Sequence, residues 1–157
     1  MVTLAAFNAA PAGEAERCLR GACDSAAFTT AMLASRPYPD ETALLAAADT
    51  ATEALTWDDV LEAMAAHPRI GDRVSGHSAA EQAGVNAADR DALAAANAAY
   101  EARFGHVYLV CATGLTGRDM LADVRRRLAN DDQTERRVAQ RELMNITRLR
   151  LSRLLRP

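Results

Sequence analysis

Apolar residues recur at the three- and four-residue spacing of amphipathic helices along most of the 157-residue chain. This spacing, together with abundant alanine, predicts helix nearly throughout. The predicted helices cover residues 4–10, 11–20, 25–34, 40–54, 56–66, 88–104, 116–129 and 133–155. We therefore expect an all-α fold, a single-domain multi-helix bundle that spans residues 1–157.

Proline, glycine and capping residues mark the predicted helix boundaries. Pro11 fits the first turn of the second helix, and Gly21 fits its end. Thr116, with Asp119 three residues later, has the pattern of an N-cap. The residues of that helix expected to face the core are Met120, Leu121, Val124 and Leu128.

Two stretches break the helical pattern. Residues 67–86, HPRIGDRVSGHSAAEQAGVN, contain a proline, three glycines and two of the three histidines. A polar stretch this long between strong helices is more often functional than idle. Residues 107–112, VYLVCA, resemble a buried strand, but the chain offers them no partner strand. We expect them to form an extended or one-turn segment in the core.

The basic residues narrow the chemistry. All 18 are arginine, and the chain has no lysine. Schiff-base chemistry, covalent pyridoxal phosphate and a Walker-type phosphate lysine are therefore excluded. No apolar run approaches the ~20 residues of a membrane span, so no membrane partner is expected.

Charge is distributed unevenly along the chain. Residues 1–100 carry six arginines against fourteen acidic residues, a net charge of −8, whereas residues 101–157 carry twelve against seven, a net charge of +5. A non-catalytic, arginine-rich helical interaction module is therefore one alternative. The arginines alternate with acidic residues, and few aromatic residues are available for base stacking, so we expect no nucleic-acid partner.

The cysteines and the N-terminus suggest a compartment. Cys18, Cys23 and Cys111 are odd in number and include no CxxC pair, which favours reduced thiols over a disulfide framework. The first residues lack the basic start and long apolar stretch of a secretory signal. We therefore expect a cytoplasmic protein.

His67-Pro68 lies where a predicted helix ends and the irregular stretch begins. Histidine is the side chain best suited to proton transfer near neutral pH, and a following proline restricts its backbone. The alternative is a structural histidine that the dipole at the helix C-terminus stabilises. The local sequence leaves both interpretations open.

The sequence Ser78-Ala79-Ala80-Glu81-Gln82 also has two interpretations. Serine three residues before glutamate is a capping-box pattern, in which Ser78 begins a short helix. The same geometry places Glu81 and Gln82 on a first turn, where polar side chains and free N–H groups can bind a ligand.

A metal site is a further alternative. His67, Asp72, His77 and Glu81 are all possible ligands, and a metal-dependent helical hydrolase would use them. Their spacing matches no compact ligand motif, so we expect no metal. The GLTG sequence at 114–117 has no accompanying lysine, and we expect a turn followed by a helix cap there rather than a phosphate loop.

Arg150 lies between two leucines on the strongly apolar last helix. An arginine turned toward a core must meet a carboxylate or a ligand, because an unpaired buried charge is costly. Arginine is also a natural clamp for a planar carboxylate or ureido group. The pattern does not decide which of Arg148, Arg150 and Arg153 faces inward.

The order of these motifs resembles the family of 2-oxo-4-hydroxy-4-carboxy-5-ureidoimidazoline (OHCU) decarboxylases. The segments that carry the resemblance are AHPRIGD (66–72), SAAEQAGV (78–85), NAAYEARFGHVYLVCATG (97–114), RRLAND (126–131) and ELMNITRLRLSRLL (142–155). Two departures occur. Many relatives carry His-Pro-Asp-Leu where this chain has His-Pro-Arg-Ile. Many also have two more residues between Glu-Gln and the following Ala-Gly, whereas here Gln82 is followed at once by Ala83-Gly84.

The resemblance implies an all-α, usually dimeric, cofactor-free enzyme that converts OHCU to (S)-allantoin in urate breakdown. His67, as general acid, and Glu81 would be the catalytic residues. The substrate-binding residues would be Pro68, Ser78, Ala79, Ala80, Glu81, Gln82, Tyr108, Leu109, Val110, Cys111, Ala112 and Arg150. We expect a homodimer that acts on this small molecule without metal or cofactor.

The chemistry agrees with a chain that has no lysine. Decarboxylation leaves an electron pair that normally needs a cofactor as its sink, but the C=N of this substrate can accept the pair. The protein must then supply positioning and a directed proton. Arg150 would hold polar ends of the substrate, Glu81 with Gln82 its ureido or hydroxyl groups, and His67 would protonate one face of the ring.

Overall fold

The computed structural model describes the backbone of residues 2–72 and 76–155. The side chains of 76–78 lie outside the described residues, so the predicted contacts of Ser78 with substrate and of His77 with a metal do as well. The helices in the described part are α1 (Leu4–Ala9), α2 (Ala12–Ala22), α3 (Ala26–Ala34), α4 (Glu41–Glu53), α5 (Trp57–Ala65), α6 (Gly76–Glu81), α7 (Ala87–Phe104), α8 (Gly117–Arg127) and α9 (Asp132–Leu154). No strand occurs there, which confirms the all-α class.

Side-chain caps set most of the helix starts where the sequence predicts them. Ser25, Asp40, Asn86 and Thr116 each accept a hydrogen bond from the backbone three residues later. The Asp119 carboxylate in turn accepts a hydrogen bond from the Thr116 backbone N–H, which completes a capping box. The prediction of a turn and helix cap at GLTG is therefore confirmed.

Two predicted boundaries are wrong. Helix α2 continues through the exposed Gly21 to Ala22, because glycine inside a helix costs only about 1 kcal/mol and the burial of Leu19 and Ala22 outweighs this. Helix α6 begins at Gly76, ahead of Ser78. Ser78 is therefore not an N-cap, and Glu81 ends the helix rather than lying in its first turn.

The described residues form two compact units, whose boundaries fall within α5 and α9. Unit 1 comprises Met1–Ala63 and Leu143–Pro157. Its buried apolar residues include Phe7, Leu19, Phe28, Met32, Leu44, Val60, Leu143, Ile146 and Leu151. Within it the Arg36 guanidinium donates to the carbonyls of Phe7 (2.7 Å) and Ala10 (3.1 Å), which ends α1 beside the Arg-Pro-Tyr-Pro turn.

Unit 2 comprises Met64–Glu142 and contains α6, α7 and α8. Its core cluster is formed by Ile70, Leu93, Tyr100, Tyr108, Val110, Ala112, Met120 and Val124. Residues 107–112 have no regular secondary structure, and four of the six are buried, so their predicted place in the core is confirmed. Leu121 and Leu128, predicted to face the core, are only partly buried at its edge.

Single-domain organisation over residues 1–157 stays a prediction.

Among the described residues, none of the helices combines the length and the apolar character that crossing a membrane requires.

Gly84 and Gly117 allow a close backbone contact inside unit 2. The Gly117 N–H donates to the Gly84 carbonyl at 3.2 Å, and a Cβ added at Gly84 would lie 2.0 Å from the Leu115 carbonyl oxygen. A Cβ added at Gly117 would meet the Asp89 carboxylate at 2.5 Å. No side chain fits between these backbones, so the start of α8 lies directly against the chain that follows α6.

We expect Gly84→Ala to destabilise the protein by about 1–3 kcal/mol or more, because the new methyl group collides with a backbone carbonyl that cannot rotate away. Urea unfolding followed by circular dichroism measures this. The matched control is Gly21→Ala in α2, where the new methyl group meets nothing and should stabilise by about 0.5–1 kcal/mol. An unchanged midpoint for Gly84→Ala would contradict the close contact.

Candidate active site

The segment from His67 to Gly71 leaves α5 without continuing the helix. The His67 N–H donates to the Met64 carbonyl at 2.9 Å, and the Asp72 N–H donates to the Arg69 carbonyl at 3.2 Å. Gly71 has φ +92°, a conformation that residues with a side chain rarely adopt. The histidine and the proline are both half-buried, and the Nε2 atom of His67 is buried.

Gln82 brings the end of α6 to this segment. Its Oε1 accepts the Gly71 N–H at 2.9 Å, and its Nε2 makes a weaker 3.5 Å contact with the Arg69 carbonyl. Glu81 and Gln82 are both buried. The structure therefore joins the segment that follows His-Pro to the Glu-Gln motif, through Gln82 directly after α6 and not through the first turn of that helix.

Helix α7 contacts the same segment from another direction. The Asn97 side-chain amide donates to the Ile70 carbonyl at 2.8 Å. One turn further, the Glu101 carboxylate accepts two hydrogen bonds from Arg69, at 2.6 and 3.0 Å. Sequence reasoning assigned no role to Asn97 or Glu101. The available signal was their place in the NAAYEARF motif, which gives no hint of their partners.

A cleft of about 450 Å³ opens beside the segment in unit 2. The described residues that line it are Gly71, Asp72, Ala79, Gln82, Ala83, Val85 and Arg90. Two predicted site residues, Ala79 and Gln82, are among them, whereas His67 and Glu81 are not. Ala79 and Ala80 are exposed on α6. The candidate chemistry therefore rests on the histidine and not on this cleft.

The second candidate segment, Tyr108–Ala112, is held by polar contacts along its length. The Tyr108 hydroxyl donates to Asp123 at 2.6 Å. The Cys111 N–H donates to the Glu142 carboxylate at 2.7 Å. Tyr108, Leu109, Val110 and Ala112 are buried, so Cys111 is the partly exposed residue of this segment.

A buried ion pair lies behind this segment. Arg127 and Glu135 are 1% and 0% exposed, and their side chains meet through Nε at 2.8 Å and Nη2 at 2.5 Å. Glu135 also accepts from the Tyr100 hydroxyl (2.5 Å) and the Asn130 amide (3.0 Å), while Arg127 donates to the Leu109 carbonyl (2.7 Å). Sequence reasoning assigned no buried role to Arg127, because apolar spacing does not reveal a charge that is fully paired.

This network shifts the pKa values of its members. Burial, and then the hydrogen bond to Glu135, raises the pKa of Tyr100 far above its ordinary range. Burial and Asp123 do the same for Tyr108. Burial alone would lower the pKa of Arg127, but Glu135 and both tyrosines reverse this and raise it. The guanidinium is therefore charged, and both phenols are neutral donors.

Of the last three arginines in α9, Arg148, Arg150 and Arg153, it is Arg150 that is buried, with 8% of its surface exposed. Arg148 pairs with Asp49 at the surface, and Arg153 is half-buried. Within unit 1 the charge of Arg150 acts on Cys23, a thiol whose pKa burial raises to about 11. The question that the sequence left open is thus answered, while the role of Arg150 in substrate binding is untested.

The metal alternative finds no further support. Across the described side chains, residues 2–72 and 79–155, no three His, Cys, Asp or Glu residues lie close enough together to hold a metal ion.

We expect Glu135→Gln to destabilise the protein by about 3–5 kcal/mol, because it leaves the buried Arg127 charge without its counter-charge. Chemical unfolding measures the loss. Asp132→Asn is the matched control in the same turn of α9, since it breaks an exposed pair with Arg103 and should cost about 1 kcal/mol or less. Equal losses in the two variants would show that burial does not set the value of the pair.

All three tyrosines of the chain have raised pKa values, chiefly because they are buried. In the unfolded chain they ionise near pH ~10, so their contribution to stability is complete below that pH and is lost as the pH rises further. We expect phenolate absorbance to appear only together with the loss of helical circular dichroism. In denaturant the same absorbance should titrate smoothly near pH ~10. A phenolate signal at that pH in helical protein would contradict the burial.

Comparisons with known proteins agree with the motifs. The family model for OHCU decarboxylase matches residues 8–152. The chain is 33% identical over 144 residues to the uric acid degradation bifunctional protein TTL of Arabidopsis thaliana, covering 84% of this chain and 44% of that protein. A crystal structure of OHCU decarboxylase in the presence of (S)-allantoin matches with TM-score 0.77 and 31% identity, over 87% of this chain and 95% of that one.

A crystal structure of (S)-allantoin synthase shares the fold, with TM-score 0.75 and 22% identity, over 98% of this chain and 54% of that one. The chain thus spans under half the length of the bifunctional plant protein. With its motifs placed in the structure and nearly its full length matched by the family model, the chain belongs to the OHCU decarboxylase family.

Proposed function

We propose that this protein decarboxylates OHCU to (S)-allantoin in urate breakdown, without a cofactor and with His67 as the general acid. The observation that carries the proposal is the contact of the His-Pro segment with the Glu-Gln end of α6, through Gln82 and Gly71. This hydrogen bond joins two residues eleven positions apart, and it supports a site in which the two motifs most directly tied to the chemistry act together.

His67 suits the delivery of a proton to one face of a ring. Its backbone is bonded to α5, Pro68 restricts the next torsion, and its Nε2 atom is shielded from solvent. Because this donor is shielded, it can deliver its proton before water does. Water would protonate the decarboxylated ring from both faces. The bond to the carboxylate breaks, carbon dioxide leaves, and the electron pair moves into the C=N of the substrate before the proton is added.

Glu81 and Gln82 have different tasks in this proposal. Glu81 is a buried carboxylate, an acceptor suited to the N–H groups of a ureido substituent. Gln82 has its amide oxygen engaged by the Gly71 N–H. We assign substrate contact to Glu81 and orientation of the His-Pro segment to Gln82. Pro68, Ser78, Ala79, Ala80 and Tyr108–Ala112 stay predicted substrate contacts, and Arg150 stays the predicted clamp for the polar ends of the substrate.

We further propose that the protein is a cytoplasmic homodimer that binds neither nucleic acid nor a membrane. The basic C-terminal part of the chain does not favour binding to nucleic acid, because several of its arginines pair with acidic side chains. These pairs are Arg103 with Asp132, Arg126 with Asp123, and Arg148 with Asp49.

The experiment generates OHCU from urate in the cuvette, with urate oxidase and hydroxyisourate hydrolase, and follows allantoin by circular dichroism. We expect wild type to accelerate formation of the (S) enantiomer, and His67→Ala to lose about 10²–10⁴-fold of that acceleration. The control is His106→Gln, which replaces the other described histidine, stacked on Phe104 outside the proposed site.

The outcomes separate the two parts of the proposal. No acceleration by wild type above the spontaneous rate would refute the activity. Full acceleration by His67→Ala would refute the role of the histidine while leaving the activity in place. A loss of equal size in His106→Gln would show that the effect is not specific to His67.

A further inference from the structure

Residues 69–71 have no regular secondary structure, and side chains from two other elements bond their backbone groups. Gln82 binds the Gly71 N–H and contacts the Arg69 carbonyl, and Asn97 binds the Ile70 carbonyl between them. Three consecutive residues are thus fixed by amide side chains. A segment held in this way keeps one conformation without a helix or a sheet.

Asn97 is the more deeply buried of the two amide side chains that bond residues 69–71. It is 4% exposed, donates to the Ile70 carbonyl at 2.8 Å, and lies 27 positions away in sequence. The Ile70 side chain is itself 7% exposed in the core cluster of unit 2. Ile70 is therefore fixed twice, by its carbonyl on α7 and by its side chain in the core.

One face of α7 is shaped for this contact. Arg90, Ala94, Asn97, Ala98 and Glu101 follow one another at helical spacing and line a cavity of about 170 Å³ together with residues 69–72. The two alanines beside Asn97 on this face, Ala94 and Ala98, are exposed in the cavity. The neighbouring pair of Arg69 and Glu101 is half-exposed and screened by water, so the buried amide is the stronger of the two contacts.

We propose that Asn97 is a positioning residue for proton transfer by His67. The inference rests on the proposed function. Ile70 lies three residues after His67, and Pro68 between them has a fixed φ and restricts its neighbour. Few free torsions therefore separate the Ile70 carbonyl from the histidine, and a shift of the carbonyl is passed on to it. Asn97 touches neither substrate nor reacting atoms in this scheme and acts through the histidine alone.

Asn97→Leu tests this in the fresh-OHCU assay, because it removes the donor and keeps the volume. We expect kcat to fall about 10–100-fold, since a displacement of about 1 Å from remote changes can cost that much. KM should change less than about threefold, because Asn97 does not bind substrate. The enantiomeric excess of (S)-allantoin should fall too, as water protonates the ring when the histidine is misplaced.

Asn97→Asp is a second variant for the case in which Asn97→Leu prevents folding. Aspartate has nearly the same shape as asparagine. The introduced carboxylate cannot donate to the Ile70 carbonyl, but the protonated acid can. Relative to wild type, kcat should therefore recover as the pH falls through the pKa of the introduced carboxyl, which burial raises. A purely structural role would not restore kcat and stereochemistry together along that profile.

Val124→Ala is the control for loss of stability. Val124 is fully buried in the same core cluster, on α8. We expect this variant to unfold more easily and yet keep kcat, KM and the enantiomeric excess of wild type. Wild-type kcat in Asn97→Leu, or in Asn97→Asp at high pH, would overturn the inference. So would a fall in kcat of the same size in Val124→Ala.

The same assay separates this inference from the proposed function. If wild type gives no acceleration, or His67→Ala keeps all of it, the proposed function fails and the inference falls with it. If His67→Ala abolishes acceleration while both Asn97 variants retain it, the proposed function stands and the role of Asn97 alone is refuted.

Discussion

The ion pair of Arg127 and Glu135 is the contact on which the packing of unit 2 depends. A buried charge is tolerated only when every one of its polar atoms is satisfied, and here both partners are. Arg127 reaches the Leu109 carbonyl, and its guanidinium lies 4.8 Å from the ring centre of Tyr108. The pair thus links α8 and α9 to the irregular segment 107–112. Arg127 and Asn130 of the RRLAND sequence, and Tyr100 of NAAYEARF, therefore have structural roles in this packing.

The two candidate segments share a physical problem. Residues 67–71 and 107–112 are neither helix nor strand, so their backbone groups have no regular partners. Buried backbone groups without partners are costly. Side chains from elsewhere supply them: Gln82 and Asn97 for the first segment, Arg127 and Glu142 for the second. This explains how an all-α protein can hold rigid, irregular backbone beside a candidate active site.

Much of the fold could be predicted from the sequence because helices are local. Apolar spacing and caps such as Asp40 and Thr116 depend on neighbours within four residues, and these predictions are confirmed. The misses involve distant partners. Nothing near Arg127 indicates that Glu135 will neutralise it, and nothing near Gln82 indicates that its amide will bond Gly71. The site residues were predicted through motif resemblance, and local chemistry alone had left His67 undecided between catalysis and a structural role at the end of a helix.

The departure of this chain from the common His-Pro-Asp-Leu sequence now has a structural account. Arginine at position 69 finds a bidentate partner in Glu101, so its charge is accommodated at the surface of α7. Isoleucine at position 70 keeps an apolar side chain in the core, and it offers Asn97 a backbone carbonyl that any residue would provide. The contacts that fix the segment are made mainly to its backbone. Both substitutions therefore leave the support of His67 intact, and the departure concerns the outer surface of the segment more than the position of the histidine.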